Sequence, residues 1–185
     1  MVQHVDTLLF YLWEQQVTDF NTLIELGVDY PQFIRQGNDE QIQHLLREQA
    51  KTERVGFLSD ELKGEIERLD GSYTLLVAAE MWCPDCLRNV PAFQALCRLA
   101  PDVKMSIITR DQATVLFQQQ FGVERVKIPF AAILDAELNP VGTFIERPQS
   151  VLNGDEDTLS SYKQGERLAD TVEDIVAVIQ QHRQS

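Results

Sequence analysis

The sequence predicts an α/β fold, a mixed sheet flanked by helices, with an added helical segment ahead of it. Two apolar runs of strand length, residues 73–79 and 103–109, enclose a helical segment at 85–100, the order of a βαβ unit with a right-handed crossover. Two further runs, 130–134 and 141–146, flank the turn Asp135-Ala-Glu-Leu-Asn-Pro140 in the manner of an antiparallel hairpin. Leu168, Val172, Ile175, Val176 and Ile179 then fall on one stripe of a last helix, placed to cover the sheet.

Residues 1–70 read as short helices separated by punctuation. Asp19 is placed to cap a helix over Phe20 to Leu26, and Gly27 to stop it. Pro31 suits the first turn of another, ending at Gly37. Asn38 is positioned to cap a longer helix that turns Ile42, Leu45, Leu46 and Ala50 inward, and Ser59 the next, with Leu62, Ile66 and Leu69 inward. Asp70-Gly71-Ser72 is a turn signal, after which the periodicity changes type; residues 1–70 are expected to be a helical extension packing on the core, and 71–185 the main domain, including the last helix. The runs at 73–79 and 103–109 both suit strands in the middle of a sheet. A helix from Gln112 to Phe121 stops at Gly122, and residues 149–165 read as a polar stretch without a defined element.

At 185 residues, 44% hydrophobic and 24% charged, the chain has the composition of an ordinary globular protein with a full-sized core. Its formal charge of -13 disfavours nucleic acid and anionic membrane as partners, because both would repel it. Three cysteines are too few for a disulfide-stapled secreted scaffold. The first residues lack a basic region, and the apolar run 8–13 is far shorter than a membrane span, so a cytoplasmic location is expected. The aromatic and Leu residues between Phe10 and Phe33 read as packing, or as a homodimer contact made by the N-terminal helices.

Chemistry concentrates at Trp82-Cys83-Pro84-Asp85-Cys86, directly after the first strand and at the start of a helix. A thiol at a helix start lies beside unpaired N–H groups and the positive end of the dipole, so its thiolate is stabilised. Cys83 is therefore the expected attacking thiol. Cys86, one turn inside, can resolve the resulting mixed disulfide by closing a redox-active Cys83–Cys86 bond. Pro84 suits the first helical turn. Two cysteines three apart are also half of a zinc site, but four ligands are needed and only Cys97 and the scattered His4, His44 and His182 remain; no metal or other cofactor is expected. Cys97 lies eleven residues past Cys86 on the same helix. That is about 16 Å at the rise of an α-helix, too far for a disulfide with either motif cysteine.

These residues resemble the thioredoxin superfamily, and in particular bacterial thioredoxin-like proteins with a Trp-Cys-Pro-Asp-Cys motif. Pro91 stands where those proteins carry a helix-kinking proline, Ile128-Pro129 where they carry an X-cis-Pro pair, and Gly142 where they carry a hairpin glycine. The resemblance covers residues 72–148, and less distinctly 33–37 and the last helix. It implies a thioredoxin fold over 71–185, a cis bond at Pro129 packed against the cysteines, and an Ile128 backbone that pairs with an extended substrate. Trp82, Pro84, Asp85, Ile128 and Pro129 are then expected to support substrate binding.

Two departures stand out. Where thioredoxins bury an aspartate behind the cysteines, this chain has Val77, and strand alternation puts the next carboxylate, Glu80, on the opposite face, as a proton carrier or a solvated strand-end residue. Asp85 opposes thiolate formation at both sulfurs while suiting the helix N-terminus, so Asp85→Asn is expected to make Cys83 more acidic. Arg88 and Asn89, near the helix start, border a substrate surface or are solvated. The function implied is a cytosolic thiol-disulfide oxidoreductase acting on protein or small-molecule disulfides, with a thioredoxin-reductase-like or low-molecular-weight thiol reductant as electron source. The competing class is a redox-responsive adaptor of the same fold with little turnover.

Overall fold

The computed structural model describes residues 19–184; the apolar run 8–13 lies outside them. Helices α1 (Phe20–Leu26), α2 (Tyr30–Ile34), α3 (Asp39–Thr52) and α4 (Asp60–Glu67) each begin where a side chain satisfies a free N–H of the first turn. Asp19, Asp29, Asn38 and Ser59 supply those acceptors, and the Asp29 and Asn38 caps are closed reciprocally by Gln32 and Gln41. The chain then forms β1 (Tyr73–Ala78), α5 (Pro84–Leu99), β2 (Val103–Ile108), α6 (Arg110–Phe121), β3 (Phe130–Leu134) and β4 (Pro140–Ile145). Helices α7 (Gln149–Leu152), α8 (Glu156–Lys163) and α9 (Leu168–Arg183) complete it.

The strands form one sheet in the order β2-β1-β3-β4, with β1 and β2 parallel and the other neighbours antiparallel. β1 and β3 are thus central, every residue of β3 is buried, and β2 is an edge strand rather than the central one its composition suggests. Its outer edge is covered locally: Val28, in the bend after α1, exchanges backbone hydrogen bonds with Ile107 at 2.8 and 2.9 Å. The N-terminal segment hides part of the edge, which is why β2 tolerates so apolar a sequence.

Helices α5 and α9 pack on one face of the sheet, with α3 and α4 layered outside α5; α6 and α1 pack on the other. Aromatic pairs mark both interfaces. Phe93 meets Phe144 edge-on at 5.2 Å between centroids on the first face, and Phe117, Phe121 and Phe130 cluster on the second, joined by Phe20 of α1. Phe20, Leu23, Tyr30 and Phe33 are all buried in the common core, so these N-terminal residues are packing residues.

Two local readings need correction. In α3 the inward face is Leu45, Glu48 and Thr52, with Leu46 and Ala50 exposed, because the helix lies against α5 and the 163–165 turn, where polar groups find partners. Glu48 is paired there with Lys51 at 2.9 Å, and Lys51 also donates to the Gln164 carbonyl. The polar stretch 149–165 folds as α7 and α8, the latter capped by Asp155 and held by the fully buried Tyr162. At Gly142 the contact with α9 is close enough that a Cβ would collide with Val178 Cγ1. Gly142→Ala is expected to destabilise the fold by about 1–3 kcal/mol, seen as a lower urea midpoint with an unchanged slope.

Candidate active site

The site follows from strand register. Antiparallel pairing sets Ala78, at the end of β1, opposite Phe130, at the start of β3. The segment leaving β1 and the segment entering β3 therefore meet at one edge of the sheet. The first carries Trp82 to Cys86; the second carries Ile128-Pro129, whose peptide bond is cis.

Cys83 is the N-cap of α5 and Pro84 begins the helix. The Cys86 N–H donates to Cys83 Sγ at 3.4 Å, and the Cys83 thiol donates to the Ile128 carbonyl at 3.5 Å. Cys83 is 7% exposed and Cys86 fully buried, and both are free thiols. Their acidities are driven apart. The Cys86 thiol as hydrogen-bond partner is the main cause that holds Cys83 below an ordinary thiol. Burial works against it, the backbone N–H groups of Cys86 and Asp85 add to it, and the Asp85 charge is the weakest of the opposing influences. Burial first, then the hydrogen bond and charge of Cys83, push Cys86 well above an ordinary thiol. Burial also raises Cys97, half-buried further along α5, to about 12.

Trp82 is 55% exposed beside Cys83, with the Arg110 guanidinium 5.2 Å from its ring centroid. Asp85 is turned into a clamp. Arg147 donates to its Oδ2 through two nitrogens at 3.0 and 3.1 Å, and Tyr162 donates to Oδ1 at 3.0 Å. Arg88 approaches Oδ1 at 3.5 Å. Val77 is fully buried, facing α5 from the sheet. Glu80 lies on the other side, where its carboxylate accepts from the Arg110 N–H at 3.0 Å and so caps α6. Among the described residues, no group of three or more His, Cys, Asp or Glu converges to hold a metal ion.

Asn89 is neither a substrate border nor a solvated position, and Arg88 is partly buried against its own helix and α8. Arg88 donates to the Pro84 and Lys163 carbonyls and lies over the Tyr162 ring. Asn89 is fully buried: Nδ2 donates to the Asp85 and Glu146 carbonyls and to Tyr162 Oη, and Oδ1 accepts from Thr171. Sequence reasoning missed Arg147 and Tyr162 altogether. No local pattern marks them, because they reach Asp85 from 62 and 77 residues away. They arrive through backbone placement: the Glu146 N–H donates to the Pro129 carbonyl at 2.8 Å, fixing the chain that carries Arg147 beside the cis-Pro turn.

Two thiols at a helix N-terminus, faced by an X-cis-Pro turn across a four-stranded mixed sheet, define the thioredoxin fold class. The family described as Thioredoxin matches residues 27–159, and the chain belongs to that family. Among solved structures it is similar to a protein of unknown function from Pseudomonas aeruginosa, at 35% identity and a TM-score of 0.85, over 89% of this chain and 98% of that one. It is also similar to an HIV epitope-scaffold, at 34% identity and a TM-score of 0.85, over 89% of this chain and 99% of that one. No curated protein matches. Among the described residues, no helix is long and apolar enough to cross a membrane.

Proposed function

We propose that the protein is a thiol-disulfide oxidoreductase that reduces protein or small-molecule disulfides through Cys83 and Cys86, as a cytoplasmic enzyme. The observation that carries this reading is the placement of the two thiols: Cys83 caps the helix, bonded to the Cys86 N–H and the Ile128 carbonyl beside the cis-Pro, and Cys86 is buried beneath it. The acidities of the two are driven in opposite directions.

The Cys83 thiolate attacks one sulfur of a target disulfide. That S–S bond breaks, a mixed disulfide forms, and the first target thiolate leaves. Cys86 then attacks Cys83 Sγ, expels the second target thiolate and closes the Cys83–Cys86 disulfide, its proton passing to the departing sulfur. Two electrons move from the dithiol to the target. An external reductant, thioredoxin-reductase-like or a low-molecular-weight thiol, restores the dithiol. Among the described residues no acceptor engages the Ile128 N–H, which leaves it available to an extended substrate strand beside Cys83. Exposed Trp82 offers that substrate an apolar surface, while Pro84, Asp85 and Pro129 hold the motif and the facing turn in place.

Insulin reduction by dithiothreitol, compared between the wild type and Cys83→Ser, tests the proposal. The wild type is expected to accelerate precipitation of the insulin B chain and the variant to fall to the uncatalysed rate. Equal rates in both would sink the oxidoreductase reading; absence of catalysis in both, together with a stable partner complex, would support the adaptor.

A further inference from the structure

An acidic residue between the two cysteines works against the thiolate that the proposed chemistry needs. The surroundings of Asp85 answer this conflict. Its carboxylate is 16% exposed, and its oxygens are engaged by Arg147 at 3.0 and 3.1 Å, by Tyr162 at 3.0 Å and by Arg88 at 3.5 Å. Two nitrogens of one guanidinium on the same oxygen, in a site this shielded, pair the charges far more strongly than a solvated surface pair would. Tyr162 is itself fixed, accepting from Asn89 while it donates to Asp85. Arg88 is spread over the Pro84 and Lys163 carbonyls as well, whereas both bonds of the Arg147 side chain go to Asp85.

We propose that Arg147 is a positioning residue for the dithiol: it cancels the charge of Asp85 and holds that carboxylate in the clamp, so that the motif keeps an acidic residue without losing the Cys83 thiolate. The inference rests on the reading of Cys83 as the attacking thiol, but its test does not depend on turnover. The groups facing Asp85 are Arg88 on its own helix, Arg147 after β4 and Tyr162 on α8; those facing Cys83 are Cys86, Asp85 and the Ile128 carbonyl.

Opposed charges act on a nearby sulfur with opposite signs, which gives the inference a signature that simple loosening of the site lacks. Arg147→Gln removes the nearest cation from Asp85, leaving it Tyr162 and the longer Arg88 contact, and raises the Cys83 pKa. Asp85→Asn leaves Arg147 bare and lowers it. The double variant replaces an ion pair by two neutral amides and returns it close to the wild-type value.

The experiment is the pH dependence of iodoacetamide alkylation at Cys83, followed by mass spectrometry on Cys83-containing peptides. The expected shifts are upward for Arg147→Gln and downward for Asp85→Asn, read as a fall and a rise in the thiolate fraction below the wild-type pKa. Arg147→Lys, which keeps the charge without the fork, is expected to stay within a few tenths of a unit of the wild type. Arg147 is 30% exposed, so its substitution opens no cavity in the core. An unmoved titration in Arg147→Gln overturns the proposal. So does a shift that Asp85→Asn fails to reverse in the double variant, or one that Arg147→Lys reproduces in full. Failure of insulin reduction with these shifts intact would count against the enzymatic reading alone.

Discussion

Cys86→Ser is expected to turn the protein from a catalyst into a trap. Cys83 keeps its place at the cap of α5 and its backbone N–H partners, so it still attacks a disulfide. In the proposed mechanism the mixed disulfide that forms is resolved by the sulfur one turn below. Serine at that position has no comparable nucleophile, and the fully buried location admits little solvent or free thiol to replace it. Multiple turnover should fall nearly to background, while a single equivalent of target stays covalently bound. Incubation with a disulfide-containing protein followed by non-reducing electrophoresis reads this directly, with a new band that dithiothreitol abolishes. Undiminished turnover would show that Cys86 is not the resolving thiol.

Asn89→Leu is expected to give the largest loss of stability of any single change near the site. The amide bonds to four partners on α5, the segment after β4, α8 and α9. Leucine has similar volume and no polar atom, so the Thr171 hydroxyl and the Glu146 carbonyl lose a buried partner and the Tyr162 hydroxyl loses its donor. Buried groups left unpaired cost about 1–3 kcal/mol each, and partial relaxation brings the expected total to about 3–4 kcal/mol. At about 2–4 °C per kcal/mol for a chain of this size, the melting temperature should drop by roughly 6–16 °C. Calorimetry or circular dichroism checks it. A drop of only a degree or two would mean that water or a rearranged neighbour takes the place of the amide.

Much of the fold was legible because local chemistry specifies it. The caps at Asp19, Asn38 and Ser59, the turn at Gly71, and the alternation of strand and helix from Tyr73 to Phe121 are short-range patterns, and the structure places each where the pattern does. The cysteine pair was legible for the same reason: strand, motif and helix N-terminus are contiguous. The errors share a different origin. β2 has the composition of a central strand, but Val28, 79 residues earlier in the chain, covers part of its outer edge. Leu46 looks inward on a helical wheel, yet Glu48 takes the buried position instead, paired on its own helix with Lys51, which reaches across to the Gln164 carbonyl.

Asn89 and Asp85 show the same division inside the site. A polar residue three positions past Cys86 has no helical pattern that marks it for burial, and only the arrival of Tyr162 and Thr171 makes it a hub.

The amino-acid sequence alone determines that the two thiols sit at a helix start, because a helix start and the sulfur it stabilises are separated by no loop. Tertiary structure decides how they are tuned. The charge on Asp85 acquires its meaning from Arg147 and Tyr162, which reach it only after the sheet has closed, the first carried beside Pro129 by the segment after β4 and the second brought in by α8. Electrostatic energies depend on distance through space, and distances between residues remote in the chain do not exist until the core has formed.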